Sequence, residues 1–277
     1  MLELLLDPLA NGTTVRALAE ITVLGIVSGA IGCWIVLYEL SYSAESLAHG
    51  LFPGLVIAAL VGAPLLLGGA IGVLVAATLV VIATRLADES ADTAIAVVIT
   101  ALFGTGVLLA LSPSSPPGIQ ELLFGDLLGV SFADVALAAG VGVAILATLW
   151  LLHDRLLAVG FDRGSQPSIG VSVTTLNLIL LALVAVTILV AVQGLGNLLV
   201  AAILVGPAAA ARQLTRRIGP MMAVSVTVAV ASGVVGIYAS YHLRTAAGAS
   251  VVVAMLGFYI LAALAGSLQH RRIPARQ

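Results

Sequence analysis

The sequence predicts an all-α, polytopic membrane helix bundle of about nine transmembrane helices, with eight as the alternative count. Three observations carry this. Hydrophobic residues fill 61% of the 277 positions and charged residues 9%, at a mean hydropathy of +1.21. A soluble domain carries roughly a quarter charged residues, so a solvated surface cannot be built from this composition. Apolar runs long enough to cross a bilayer recur along the chain, and arginines mark their flanks on one side. No soluble module interrupts the runs, so residues 1–277 read as a single transmembrane domain.

The runs fall near 21–38, 46–62, 65–84, 94–111, 132–152, 174–192, 196–211, 221–241 and 249–268. The opening stretch, "MLELLLDPLANGTTVRALAE", lacks a basic n-region, and the apolar run after it is too long for a signal h-region. It reads as the approach to a first span. Cys33, the sole cysteine, lies within that span and reads as a small buried apolar residue. The second and seventh runs are short and contain Pro53 and Pro207, the pattern of spans that open backbone onto a cavity; either is a candidate for a re-entrant segment. Gly25 with Gly29, and Gly68 with Gly72, are small residues four apart that suit close helix packing.

Arginine placement sets the direction. With nine crossings and the N-terminus outside, Arg85, Arg155, Arg163, Arg212, Arg216, Arg217, Arg271, Arg272 and Arg276 face the cytoplasm, and Arg16 and Arg244 fall outside. The run Arg212, Arg216, Arg217 reads as a positive-inside anchor. The proline-rich stretch 112–130 lies outside. The stretch 153–171 lies inside, and its polar, glycine- and proline-containing composition predicts a short cytoplasmic coupling helix within 155–170.

All 11 basic residues are arginine, and lysine is absent. A P-loop needs its lysine to reach the phosphates, so this chain is not a P-loop ATPase, and lysine Schiff-base chemistry is excluded as well. If ATP drives the protein, another polypeptide hydrolyses it.

The candidate site is "SAESLAHGLFPG", residues 43–54. Glu45 and His49 are spaced i, i+4, which puts them on one helix face. Imidazole nitrogen with carboxylate oxygen suits zinc or manganese, and ionisable groups at membrane depth are functional candidates. Two residues do not complete a coordination shell, and a Glu–His pair at a helix end, or a gating or helix-pairing role, is the plainer alternative. A metalloprotease helix needs H-E-x-x-H; one histidine in reversed order does not fit it. His242 reads as an interfacial polar cap, with a place at a metal-accepting mouth as the alternative, His153 and Asp154 as the solvated inner end of span five, and His270 as part of the tail. Asn177, Gln193 and Asn197 read as interhelical hydrogen-bonding groups.

"VLYELSYSAESLAHGLFPGLVIA", residues 36–58, resembles the signature passage of the ABC-3 family of metal permeases, with Glu45 on the family's aspartate, His49 on its histidine, and Pro53 and Gly54 on its proline and glycine. "ELLFGDLLGVSFADV" (121–135), "FDRGSQPSIGVSV" (161–173, keeping Asp162 and Gly170), "LGNLLVAAILVGPAAAARQL" (195–214) and "GIYASYHLRTAAGASVVV" (236–253) are similar to further family segments in the same order. Departures are Glu45 for aspartate, Tyr38 and Glu39 for a pair of basic residues, Gln166 for alanine, and Arg244 and Ala246 for aspartate and proline.

The resemblance implies a type II ABC importer-like permease in the bacterial inner membrane. It implies that Glu45 and His49 contact zinc, manganese or iron in transit, with no permanently bound cofactor. The implied partners are a cytoplasmic ABC ATPase, an extracytoplasmic metal-binding protein and a second permease copy. The alternatives are a vitamin B12 or siderophore-type permease, whose ligand does not require an acid–histidine pair, and an ATP-independent secondary transporter, which needs intramembrane coupling groups that the runs barely offer.

Overall fold

The computed structural model describes residues 7–86, 91–113, 115–116, 118–119, 121–161 and 172–272. Among the described residues, a 3-10 turn at Asp7–Ala10 is followed by ten helices: α1 (Gly12–Leu37), α2 (Ser41–Val61), α3 (Leu65–Leu86), α4 (Ala91–Ala110), α5 (Glu121–Phe124), α6 (Phe132–Leu151), α7 (His153–Phe161), α8 (Val173–Leu214), α9 (Ile218–Leu243) and α10 (Ala247–Arg272). Among the described residues, eight helical segments have the length and apolarity to cross a membrane, and Leu199–Leu214 is a shorter apolar arm. That arm is the seventh run of the sequence. The second run is not short: its helix starts at Ser41, five residues earlier than hydropathy placed it, because Ser41, Tyr42 and Ser43 are helical despite being polar.

The outside of the bundle is apolar. Leu67, Leu74, Leu108, Val143 and Leu178 are all exposed, as lipid-facing side chains must be. The centre is α1, whose Ile21, Ile31, Trp34 and Ile35 are wholly buried among α6, α8 and α9. Helix approach there depends on missing side chains. A Cβ on Gly29 would stand 2.8 Å from Val226 Cα, and one on Gly54 would stand 2.7 Å from Gly72 Cα. Both predicted glycine pairs therefore sit at helix crossings, α1 on α9 and α2 on α3.

Helix ends are stopped by local chemistry. Gly62 takes the left-handed conformation (φ 70°) after α2, and Ala63 N–H reaches back to the Ala58 carbonyl at 2.8 Å, a left-handed cap closed by a six-to-one bond. A capping box starts α6: the Ser131 hydroxyl accepts from Asp134 N–H, and the Asp134 carboxylate accepts from Ser131 N–H. At the inner ends, Tyr38 donates its hydroxyl to the Leu156 carbonyl at 3.0 Å. The tyrosine that stands for a family basic residue thus ties the end of α1 to α7. A short helix, α7, is present at the start of the segment expected to hold the cytoplasmic helix; the rest of it, with Asp162, Arg163, Ser165, Gln166 and Gly170, lies outside the described residues.

The 42 residues of α8 would measure about 63 Å if straight, twice the hydrocarbon core. The chain breaks at Gly196 (φ 72°, ψ 157°), a conformation open essentially to glycine alone. The first arm climbs beside α2: Leu189 packs with Leu51 and Leu55 against Gly69, and Gln193 reaches the level of Ala59 and Leu65. Gly194, just before the break, meets Glu20 of α1, and the second arm descends beside α1 to Leu204 and Ala208 at Gly32. The break is thus a reversal inside the membrane.

Candidate functional site

Glu45 and His49 stand on the first turns of α2, which faces the second arm of α8 and α10 across a cavity of about 660 Å³. Ser41, Tyr42, Ala201, Val205, Met255 and Tyr259 also line it. Because α2 begins at Ser41, His49 lies eight residues into the helix, about 12 Å along it. The run read from hydropathy, 46–62, would put it only three residues in.

His49 Nε2 is 3.8 Å from Glu45 Oε1. The acid is more than half exposed to the cavity, at 57% of its side chain, and the histidine much less, at 21%. The imidazole is held on three sides. Its ring packs on Phe103 of α4 at 4.8 Å between centroids, and Phe103 in turn meets Phe52 at 5.5 Å. Its Nδ1 lies 3.3 Å from Asn197 Nδ2, one residue past the Gly196 break.

Asn197 is fully buried, and its Oδ1 has no hydrogen-bond partner. With the amide NH2 donating to Nδ1, the neutral ring keeps its proton on Nε2, toward Glu45. Turning the amide about its last bond presents Oδ1 to an Nδ1–H instead and leaves the Nε2 lone pair for a metal. Asn197 therefore serves both tautomers without moving the chain. A further consequence of sequence sits here: Pro53 has no N–H, so helix α2 cannot close a bond onto the carbonyl of His49 itself.

Among the described residues, no three histidine, cysteine or acidic side chains converge as a metal-holding group. A nitrogen and a carboxylate alone are half or less of the four- to six-member shell that a divalent ion takes.

The other singled-out residues fall elsewhere. His153 packs edge-on against Trp34 at 5.5 Å, and His242 edge-on against Tyr241 at 5.3 Å at the outer end of α9. Gln193 lines a separate outer cavity. The Oδ1 of Asn177 is buried without a partner, so the interhelical bond expected of it is not made through that atom. His270 is in α10, with its side chain outside the described residues. Asn197 makes the interhelical contact expected of it; that its partner is His49 was not legible in the sequence. Sequence reading missed Glu20, which α1, starting at Gly12, takes inside the first span.

Residues 11–266 match the ABC 3 transport family. The chain is 30% identical over 249 residues to the manganese transport system membrane protein MntC of Halalkalibacterium halodurans, covering 89% of this chain and 85% of that protein. It is 28% identical over 266 residues to the chelated iron transport system membrane protein YfeD of Yersinia pestis, covering 95% and 88%. Its fold superposes on a chain of PsaBC from Streptococcus pneumoniae, solved in complex with Fab, with a TM-score of 0.86, 28% identity and 95% of each chain covered. A match through every span, in sequence and in three dimensions, places this chain in the ABC 3 transport family.

Proposed function

We propose that Glu45 and His49 are the ligands that a divalent metal ion meets as it crosses this permease. The chain is the membrane-spanning subunit of an ATP-binding-cassette metal importer in the bacterial cell membrane. The observation that carries the site is that Glu45 and His49 line one cavity while Asn197, buried on a second helix just past its Gly196 break, contacts the His49 ring. A carboxylate offsets a cation in a low-dielectric path, a neutral imidazole supplies a borderline donor, and a buried amide orients the ring. Neither a vitamin B12 complex nor a siderophore requires that set.

A second copy of the chain completes the shell. The cavity is open, and Tyr42, Leu256 and Tyr259 leave a substantial apolar surface at its rim. Two copies facing each other there bring two carboxylates and two imidazoles together. The ATPase is a separate subunit that grips α7 and the connection after it, since this chain has no lysine for a P-loop. An extracytoplasmic binding protein delivers the ion.

The cargo is a first-row divalent ion, with manganese in the lead. Relatives are named for manganese and chelated iron, and an N,O donor set without thiolate serves manganese well. The test is uptake of radiolabelled manganese, iron and zinc into vesicles holding the permease, its ATPase and its binding protein. ATP-dependent accumulation of one or more of them, abolished in His49→Ala, is the expected result. Accumulation that is indifferent to both Glu45 and His49 would overturn the site.

A further inference from the structure

A second cavity, of about 370 Å³, opens at the outer end of the bundle between α1, the start of α3, the loop before α6 and the first arm of α8. It shares no lining residue with the Glu45–His49 cavity. Three acids line it: Glu20, Asp126 and Asp134.

Glu20 is the unusual one. It lies eight residues into α1, about 12 Å below the helix start, and is only 1% exposed. Its Oε2 has no hydrogen-bond partner. Arg16, one helical turn earlier, does not neutralise it. The Arg16 guanidinium turns to the Phe132 ring, 5.6 Å from the centroid, and its Nε is itself buried without a partner. A buried carboxylate without a pairing charge is costly, and this one is aimed at the cavity floor: a Cβ on Gly194 would come 2.5 Å from Oε1 and 2.9 Å from Oε2.

The other two acids are fixed in place. Asp126 Oδ1 accepts from Gly129 N–H at 3.0 Å. Asp134 Oδ2 accepts from the Ser131 N–H and hydroxyl, at 2.9 and 2.6 Å, and these bonds leave its Oδ1 uncommitted. All three present oxygen, with no nitrogen or sulfur donor among them. They do not converge tightly enough to strip a bare ion among the described residues. The space, however, holds on the order of ten waters.

We infer that this cavity is a binding site for a hydrated divalent cation, with Glu20 as its principal charge and Asp126 and Asp134 as its rim. Hard cations that dehydrate reluctantly are held in this way, by few carboxylates and retained water. The bound ion offsets the Glu20 charge. It also rests on Gly194, two residues before the Gly196 break that sets Asn197 against His49. Occupancy of the outer site therefore braces the break from above, whichever metal is cargo.

The test uses the full-length permease in lipid nanodiscs, stripped with chelator, carrying Glu45→Ala and His49→Ala so that the transport pair is silent. Manganese(II) is titrated and the bound fraction read by electron paramagnetic resonance, with thermal unfolding followed in parallel. The expected result is one residual manganese(II) per chain with a hydrated-ion spectrum. Glu20→Gln should weaken that binding at least about tenfold and abolish the thermal shift, and Asp126→Asn should weaken it several-fold. No residual binding up to millimolar metal overturns the proposal, as does binding that Glu20→Gln and Asp126→Asn both leave unchanged. If Glu20→Gln fails to fold, the Asp126→Asn titration alone decides between these outcomes. Because the transport pair is absent throughout, none of these results bears on whether Glu45 and His49 carry the cargo.

Discussion

Asn197 Nδ2 lies 3.3 Å from His49 Nδ1, which joins the break in one helix to the cavity-lining histidine of another. The partners are 148 residues apart in sequence. The break at Gly196 ends one arm of α8 and delivers the buried amide to the ring from behind.

Removing that support is expected to weaken metal handling more than folding. Groups that hydrogen-bond and orient a metal-ligating histidine are commonly worth about 10–100-fold in affinity. Asn197→Ala should raise the metal concentration for half-maximal uptake about tenfold, with ATPase assembly intact. Asn197→Asp retains an acceptor for Nδ1–H and should recover part of the loss. Uptake by Asn197→Ala that matches wild type at limiting metal would show the contact to be packing only.

The ligand pair itself should be more sensitive. His49→Ala deletes the nitrogen donor, and Glu45→Gln keeps shape while removing charge. Both should lower uptake by tens-fold or more at normal membrane expression. Glu45→Asp, which restores the residue type usual at this position in the resembled signature, should be mild. The side chain is 57% exposed and has room to lose a methylene. Uptake assays at limiting metal, beside quantitative membrane blots, distinguish these outcomes.

Gly196→Ala places a Cβ in a conformation with φ 72° and ψ 157°. The strain is about 1–3 kcal/mol, and relief requires moving Asn197. A lowered unfolding temperature in detergent together with reduced uptake is expected. Full activity with unchanged stability would mean that the break tolerates side chains and that its geometry is not what holds Asn197.

At the α2–α3 crossing, Gly54→Val drives methyls into the Gly68 and Gly72 backbone. Overpacking of this kind costs about 1–3 kcal/mol, and the helices have no small side chain left to yield. Gly62→Ala, by contrast, meets no neighbour within 4 Å and suffers only from its φ of 70°, about 1–2 kcal/mol. Thermal melts of the two variants should rank Gly54→Val as the more damaged.

Tyr38→Phe removes the hydroxyl that reaches the Leu156 carbonyl. A typical net loss is about 1 kcal/mol, and it falls on the junction of α1 with α7. Global stability should drop slightly. ATP turnover stimulated by the assembled permease should drop further if α7 transmits motion from the ATPase; an unaltered turnover would show that the tether is structural alone.

Composition and hydropathy determined the environment, the helical class, the expected direction of insertion and the existence of the Glu45–His49 pair. Each rests on a local property: apolar length, arginine flanks, or an i, i+4 spacing that any helix converts into one face. The paired glycines were legible for the same reason, since a missing Cβ permits close approach wherever a partner lies. The tertiary structure decided the rest. Hydropathy averages a window, so it placed the start of α2 five residues late, and His49 three residues into the helix instead of eight. It also trimmed Glu20 from the first span, because one acid and its polar neighbours lower the average of a segment whose backbone is nonetheless helical. The reversal at Gly196 depends on a single pair of dihedral angles. The meeting of Asn197 with His49, and of Glu20 with the outer acids, depends on which helices become neighbours, and no window along one chain contains that information.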